Sequence, residues 1–97
     1  SSNHELLHSR AAEWRSDLDR AVPLGTSIQD AKAWGERKGI SLQYLETKHQ
    51  LYAIAERVPE TGLNKLVCSE WAVVLKISFS GGGVSESNEV STIGTCL

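Results

Sequence analysis

The sequence predicts an α+β domain in which two N-terminal helices pack on one face of a four-stranded antiparallel sheet. Apolar residues recur with the period of a helix through residues 3–38, and they alternate with the period of a strand from residue 41 onward. The chain has 97 residues, of which 40% are hydrophobic and 23% charged, as in globular proteins. A chain of this length builds one core, so we expect a single domain over residues 1–97.

The first helix is predicted over residues 3–21. Its buried stripe follows steps of four, three and four residues and comprises Leu7, Ala11, Trp14 and Leu18. Pro23 ends the helix, because proline has no backbone N–H with which to continue it. Three arginines at intervals of five residues spiral around the helix, so we expect them to be solvated: Arg10, Arg15 and Arg20.

The second helix is predicted over residues 27–38. Ser27 is the expected N-cap, and Asp30 favours the positive end of the helix dipole. Gly39 follows the last turn and can adopt the left-handed conformation that ends many helices. The stripe expected to face the core comprises Ile28, Ala31 and Trp34.

Four strands are predicted over residues 41–46, 49–58, 66–79 and 84–93. The third has the clearest pattern, because apolar residues at its odd positions form one face that must be buried: Val67, Trp71, Val73, Leu75, Ile77 and Phe79. Its even positions are expected to point away from the helices: Glu70, Ala72, Val74, Lys76 and Ser78. Gly81–Gly83 supply the permissive backbone for a hairpin into the fourth strand.

The two cysteines lie at equal distances from Gly82, fourteen residues on either side. A hairpin folded about that glycine places Cys68 opposite Cys96, and cross-strand Cβ atoms about 4.5 to 5.5 Å apart are within reach of a disulfide. We therefore predict a disulfide, which indicates an oxidising compartment. A slip of one residue in the hairpin would send the two side chains to opposite faces. The alternative is a pair of reduced, partly buried cysteines in a cytosolic protein.

Charge and hydropathy exclude several classes of partner. The formal net charge is −2 and the basic residues form no stripe, so no nucleic-acid partner is expected. No apolar run approaches the roughly eighteen residues that cross a bilayer, so no transmembrane segment is expected in this chain. The three glycines precede neither a helix nor a lysine, so they predict no phosphate-binding loop, and we expect no cofactor.

The segment His4–His8 matches the His-Glu-x-x-His pattern, in which two histidines one helical turn apart hold zinc. Zinc would need a third ligand, for which His49 and Glu13 are the candidates. Leu7 already belongs to the buried stripe of the first helix, which favours an ordinary helical turn. We therefore predict no enzyme and no metal site. A small zinc metalloprotease, with His4 and His8 as ligands, is the remote alternative.

Two stretches carry a resemblance to known proteins. Val22–Ala31 is similar to a short glycine turn into a capped second helix, and Trp71–Phe79 is followed by glycines and Val84. In this order the elements resemble the repeats of β-lactamase inhibitor proteins and the BamE-type (SmpA/OmlA) outer-membrane lipoproteins. The resemblance implies a protein that binds other proteins through an exposed sheet face and is not an enzyme. Small periplasmic immunity proteins are similar in size and composition. BamE-type lipoproteins begin the mature chain with a lipidated cysteine, which Ser1 does not match.

The expected function is therefore that of a non-enzymatic protein-binding module of the bacterial envelope. We expect an inhibitor or immunity protein that occludes a toxin or hydrolase, in the periplasm or secreted. The alternative is an outer-membrane assembly lipoprotein, lipid-anchored in its full precursor, whose partner is an envelope assembly component. The partner surface is expected on the outward sheet face and its surroundings: Glu70, Ala72, Val74, Lys76, Tyr52 and His49.

Overall fold

Two helices, α1 (Ser2–Ala21) and α2 (Ile28–Lys38), precede four strands: β1 (Gln43–Leu45), β2 (Gln50–Pro59), β3 (Cys68–Phe79) and β4 (Ser85–Cys96). These elements belong to a computed structural model that describes residues 2–60, 66 and 68–96. The strands form one antiparallel sheet in the order β1-β2-β3-β4. The predicted fold class is confirmed. The largest error in the predicted bounds is at β4, which continues to Cys96, and the predicted core position Val67 lies outside the described residues.

The core lies between the helices and one face of the sheet. Its fully buried side chains come from α1, from the residue that follows α1 and from the central strands: Leu18, Val22, Leu51, Val73, Leu75 and Ile77. Trp14 and Trp34 meet edge to face at the interface of the two helices, with their ring centroids 6.3 Å apart. The helical and strand stripes of the sequence therefore converge on one apolar layer.

The second helix has the termini that its sequence predicts. The Ser27 hydroxyl accepts a hydrogen bond from the Asp30 backbone N–H at 3.1 Å, and Gly39 ends the helix with a φ of 77°. Lys38 then ties the two helices together, because its Nζ lies 3.0 Å from Asp17 Oδ2. The hydrogen bond from Lys38 is the main reason why the pKa of Asp17 lies below its usual value.

The registers of β2 and β4 each contain an irregularity that changes which residues face the core. In β2 the pairing with β3 shifts between Ile54 and Glu56, so Ala55 is an extra residue and Glu56 shares the helix-facing side with Ala53. In the β3–β4 ladder the pairing shifts beside Phe79 and shifts back beside Cys68. The second shift removes the one-residue offset that the first introduces, so both ends of the β3–β4 ladder share one register.

Glu56 binds α1 to the sheet by accepting hydrogen bonds from two of its side chains. Trp14 Nε1 donates to Glu56 Oε1 at 2.9 Å, and Arg10 Nε donates to the same oxygen at 2.8 Å. The hydrogen bond to Glu56 is the main reason why the pKa of Arg10 lies above its usual value. On the other side of α1, Arg15 Nη2 donates to the Val90 carbonyl at 2.8 Å. The expectation that these arginines are solvated is met by Arg15, which is exposed although it also bonds to the sheet, and is wrong for Arg10, which is half-buried against the carboxylate of Glu56.

We expect the Glu56→Ala variant to lose about 1 to 3 kcal/mol of unfolding free energy, because it leaves the buried indole N–H of Trp14 without its acceptor. Trp14 is 8% exposed, so water does not readily replace the lost oxygen. Glu56→Gln is the matched control, since it keeps an oxygen that can accept from Trp14 and should lose less. Urea titrations followed by circular dichroism measure both losses. Equal stability of wild type and Glu56→Ala would contradict this role of Glu56.

Candidate protein-binding surface

The face of the sheet opposite the helices is built by the residues that alternate away from the core. Ile54 on β2 pairs with Val74 on β3, and Val74 pairs with Ser91 on β4. In the next row Ala72 lies between Arg57 and Ile93. We call the surface formed by these rows and their neighbours the outer face. Its residues are Tyr52, Ile54, Arg57, Glu70, Ala72, Val74, Lys76, Glu89, Ser91 and Ile93.

The centre of the outer face is apolar. Val74 is 1% exposed and Ala72 6% exposed, although both point away from the helices. Their cross-strand neighbours include Ile54, which is 37% exposed, and Ile93, which is 48% exposed. The outer face therefore presents two large aliphatic side chains to solvent, beside the buried side chains of Ala72 and Val74.

Charged residues lie at both ends of this apolar centre and are paired across the strands. Lys76 Nζ lies 3.6 Å from Glu89 Oε2, and Arg57 Nε lies 3.8 Å from Glu70 Oε1. Pairs of this kind are largely exposed and contribute little to stability. Their effect on recognition is to leave no strong excess of either charge on the outer face.

Five of the six residues predicted for the partner surface lie together on the outer face: Glu70, Ala72, Val74, Lys76 and Tyr52. His49 does not join them. It adopts a left-handed conformation with a φ of 50° after the short 3₁₀ turn Glu46–Lys48, and its Nδ1 lies 3.4 Å from the hydroxyl of Tyr44. Tyr44 shares the helix-facing side with Leu51, so the imidazole of His49 lies at the β1 end of the sheet, away from Val74.

The sequence prediction missed the two large aliphatic residues of the outer face, Ile54 and Ile93, and it also missed Arg57, Glu89 and Ser91. The prediction used the alternation of β3, whose even positions are read directly from the sequence, and added Tyr52 and His49 as neighbours. The face to which Ile93 belongs depends on the shift in β4 beside the hairpin, which the local sequence does not mark, whereas Ile54 alternates with Tyr52 ahead of the shift in β2. The usable signal for Ile54 is its spacing of two residues from Tyr52, because alternate residues of a strand share a face.

The two histidines of the His-Glu-x-x-His pattern have different surroundings. His4 Nε2 lies 3.0 Å from Glu60 Oε2, and Trp71 Nε1 donates to the same buried oxygen at 3.0 Å. His8 is exposed on α1, and the candidate ligand Glu13 forms an ion pair with Arg10. Within residues 2–60, 66 and 68–96, no group of three or more His, Cys, Asp or Glu side chains is placed to hold a metal ion.

The register of β3 and β4 pairs Cys68 directly with Cys96. This is the backbone placement that the predicted disulfide requires. It arises through two shifts: Glu86 is extra in β4 next to the hairpin, and Ser69 is extra in β3 next to Cys68.

Comparisons of the chain with protein-family models, with curated proteins and with solved structures give no match. In the part of the chain that the structure describes, neither helix is long and apolar enough to cross a membrane.

Proposed function

We propose that this chain is a non-enzymatic protein-binding module of the inhibitor or immunity type, which binds its partner protein through the outer face. The observation that supports this proposal best is the exposure of Ile54 and Ile93 around the packed base of Val74. Both helices pack on the opposite side, so within the described residues neither helix keeps the outer face from another protein.

The composition of the outer face suits a protein partner. Protein interfaces commonly have an apolar centre and a polar rim, and charged residues are depleted at the centre. Ile54 and Ile93 form such a centre, and the Lys76–Glu89 and Arg57–Glu70 pairs form such a rim. Because the rim charges already have partners within the chain, the preferred surface on the other protein would be apolar and close to neutral.

The compartment is part of the same proposal. A disulfide between Cys68 and Cys96 would stabilise the β3–β4 hairpin in an oxidising environment, and their direct pairing supports it. A module of this type would then act in the periplasm or after secretion, against a toxin or a hydrolase. This also agrees with the resemblance to inhibitor repeats and BamE-type proteins, whose activity is binding.

We expect the Ile54→Glu variant to lose its partner, because a buried carboxylate at the centre of an apolar contact has no counter-charge. Ile54 is 37% exposed, so the variant should fold normally. The matched control is Leu6→Glu, which makes the same change at a leucine that is 48% exposed on α1, away from the outer face. The measurement is affinity capture from an envelope and secreted-protein extract of the source organism, with mass spectrometry of the retained proteins.

One toxin or hydrolase retained by wild type and Leu6→Glu, and lost by Ile54→Glu, would support the proposal. Retention of outer-membrane assembly components in the same pattern would instead favour the assembly lipoprotein. If all three proteins retained the same set, the outer face would have no part in binding, and if none retained any protein, the proposal of a binding module would lose its support.

A further inference from the structure

We propose that two copies of this chain associate through β4, in an antiparallel pair about a two-fold axis at Ile93. In the part of the chain that the structure describes, β4 is the last strand of the sheet. Its ladder is with β3, and at its start Ser85 also exchanges backbone hydrogen bonds with Gly25 and Thr26. An open strand edge is a template for another strand. The inference concerns an edge of the sheet and does not depend on the proposed function of its outer face.

The backbone groups that point out of this edge follow from the alternation of the sheet. The Phe79 N–H donates to the His49 carbonyl at 2.8 Å, so the odd residues of β3 direct their backbone groups toward β2. The even residues of β3 then bond to the odd residues of β4, from Ser87 to Thr95. The even residues of β4 therefore direct their N–H and C=O groups outward. The hydrogen bond from Arg15 to the Val90 carbonyl, made from outside the sheet, agrees with this assignment.

The two halves of the β4 edge differ. The first half carries Glu86 and Glu89, and the outward carbonyl of Val90 is already occupied by Arg15. Charges and covered backbone groups are the usual protection of an edge strand. The second half, 91–96, has no charged residue, and Ile93 within it is 48% exposed. The unprotected edge is therefore short and centred on Ile93.

A two-fold axis at Ile93 needs only outward backbone N–H and C=O groups that lie within this second half of β4. It pairs Thr92 of each copy with Gly94 of the second copy, in two reciprocal pairs of backbone hydrogen bonds. Ile93 then faces its own counterpart at a non-hydrogen-bonded position, where side chains approach most closely. An axis closer to Glu89 would need the Val90 carbonyl that Arg15 occupies, and it would bring the glutamates of the two copies together.

Side-chain shape also suits this register. On the helix-facing side, the Trp71 ring covers Gly94 so closely that a Cβ there would lie 2.8 Å from Trp71 Cζ3. At this edge the Trp71 ring therefore lies over Gly94, and Thr92 of the second copy would lie opposite Gly94. Its methyl group would pack on the partly exposed ring of Trp71. The outer faces of the two copies would form one continuous surface.

Sedimentation velocity at concentrations up to the millimolar range tests the association. We expect wild type to form dimers as its concentration rises and Thr92→Pro to remain monomeric, because proline removes an N–H that β3 does not use. Thr92→Val is the matched control, which keeps the N–H and should dimerise. Circular dichroism checks that both variants fold. A monomeric wild type, or a Thr92→Pro variant that dimerises like wild type, would overturn the proposal.

Oxidative cross-linking tests the register. Ile93→Cys places a thiol beside its own counterpart, and we expect a disulfide-linked dimer on a non-reducing gel. Ser91→Cys is the control, because Ser91 would face Thr95 of the second copy and its own counterpart would be out of reach. Equal cross-linking of both variants would overturn this register. Ile54→Glu should dimerise like wild type, so loss of partner capture and loss of dimerisation can be told apart.

Discussion

We expect the Leu75→Ala variant to lose about 3 to 5 kcal/mol of unfolding free energy. Leu75 is fully buried at the centre of β3, between Ala53 on β2 and Val90 on β4, and it faces the helices. The lost methyl groups leave a cavity that the paired strands cannot close, since the sheet ladder holds the backbone on both sides. For a domain of this size, a loss of 1 kcal/mol lowers the melting temperature by about 4 to 8 °C.

Val74→Ala is the informative comparison, because Val74 is equally inaccessible but lies on the outer face. Its cross-strand neighbour Ile54 is partly exposed and can move toward the space that the mutation opens. We therefore expect a loss of about 1 to 2 kcal/mol, close to the transfer free energy of the removed groups. Urea unfolding of both variants at constant m-value provides the two numbers. If Val74→Ala lost as much as Leu75→Ala, the outer face would be packed as rigidly as the core, contrary to this account.

The second large effect concerns the cysteines. We expect the double variant Cys68→Ser, Cys96→Ser to lose about 3 to 4 kcal/mol relative to the oxidised wild type. The physical reason is that a bond between these paired positions closes a long loop and restricts the unfolded chain. The loss should disappear in the presence of a reductant, where wild type and the double variant should unfold at the same denaturant concentration.

Thiol titration in denaturant without reductant checks the same proposal chemically. Wild-type protein isolated from its source should show no reactive thiol. Two reactive thiols per chain would contradict the disulfide and would remove the argument for an oxidising compartment.

The elements of the fold could be predicted from the sequence because their signals are local. The stripe from Leu7 to Leu18, the Ser27 cap and the odd positions of β3 each report on residues within a few positions of one another. The hairpin about Gly82 could also be predicted, because the three glycines mark its turn. Its symmetry gave the pairing of Cys68 with Cys96.

What could not be predicted depends on the register between distant segments. The extra residue Ala55 turns Glu56 toward the helices, where Trp14 and Arg10 contact it, and no neighbour of Ala55 in the sequence signals this. The pairing of Cys68 with Cys96 was predicted by assuming an uninterrupted hairpin, whereas the hairpin contains two shifts that cancel. Bulges are set by the packing of the whole sheet, which a local pattern does not contain.

The central claim is that the partner binds the outer face, and chemical footprinting of the domain with and without the captured partner tests it most directly. Carbene labelling, read by mass spectrometry, reports the accessibility of individual side chains. We predict that the partner protects Tyr52, Ile54 and Ile93 and leaves Leu6 and His8 on α1 fully labelled. Protection confined to α1, with Ile54 and Ile93 labelled as in the free protein, would contradict the claim.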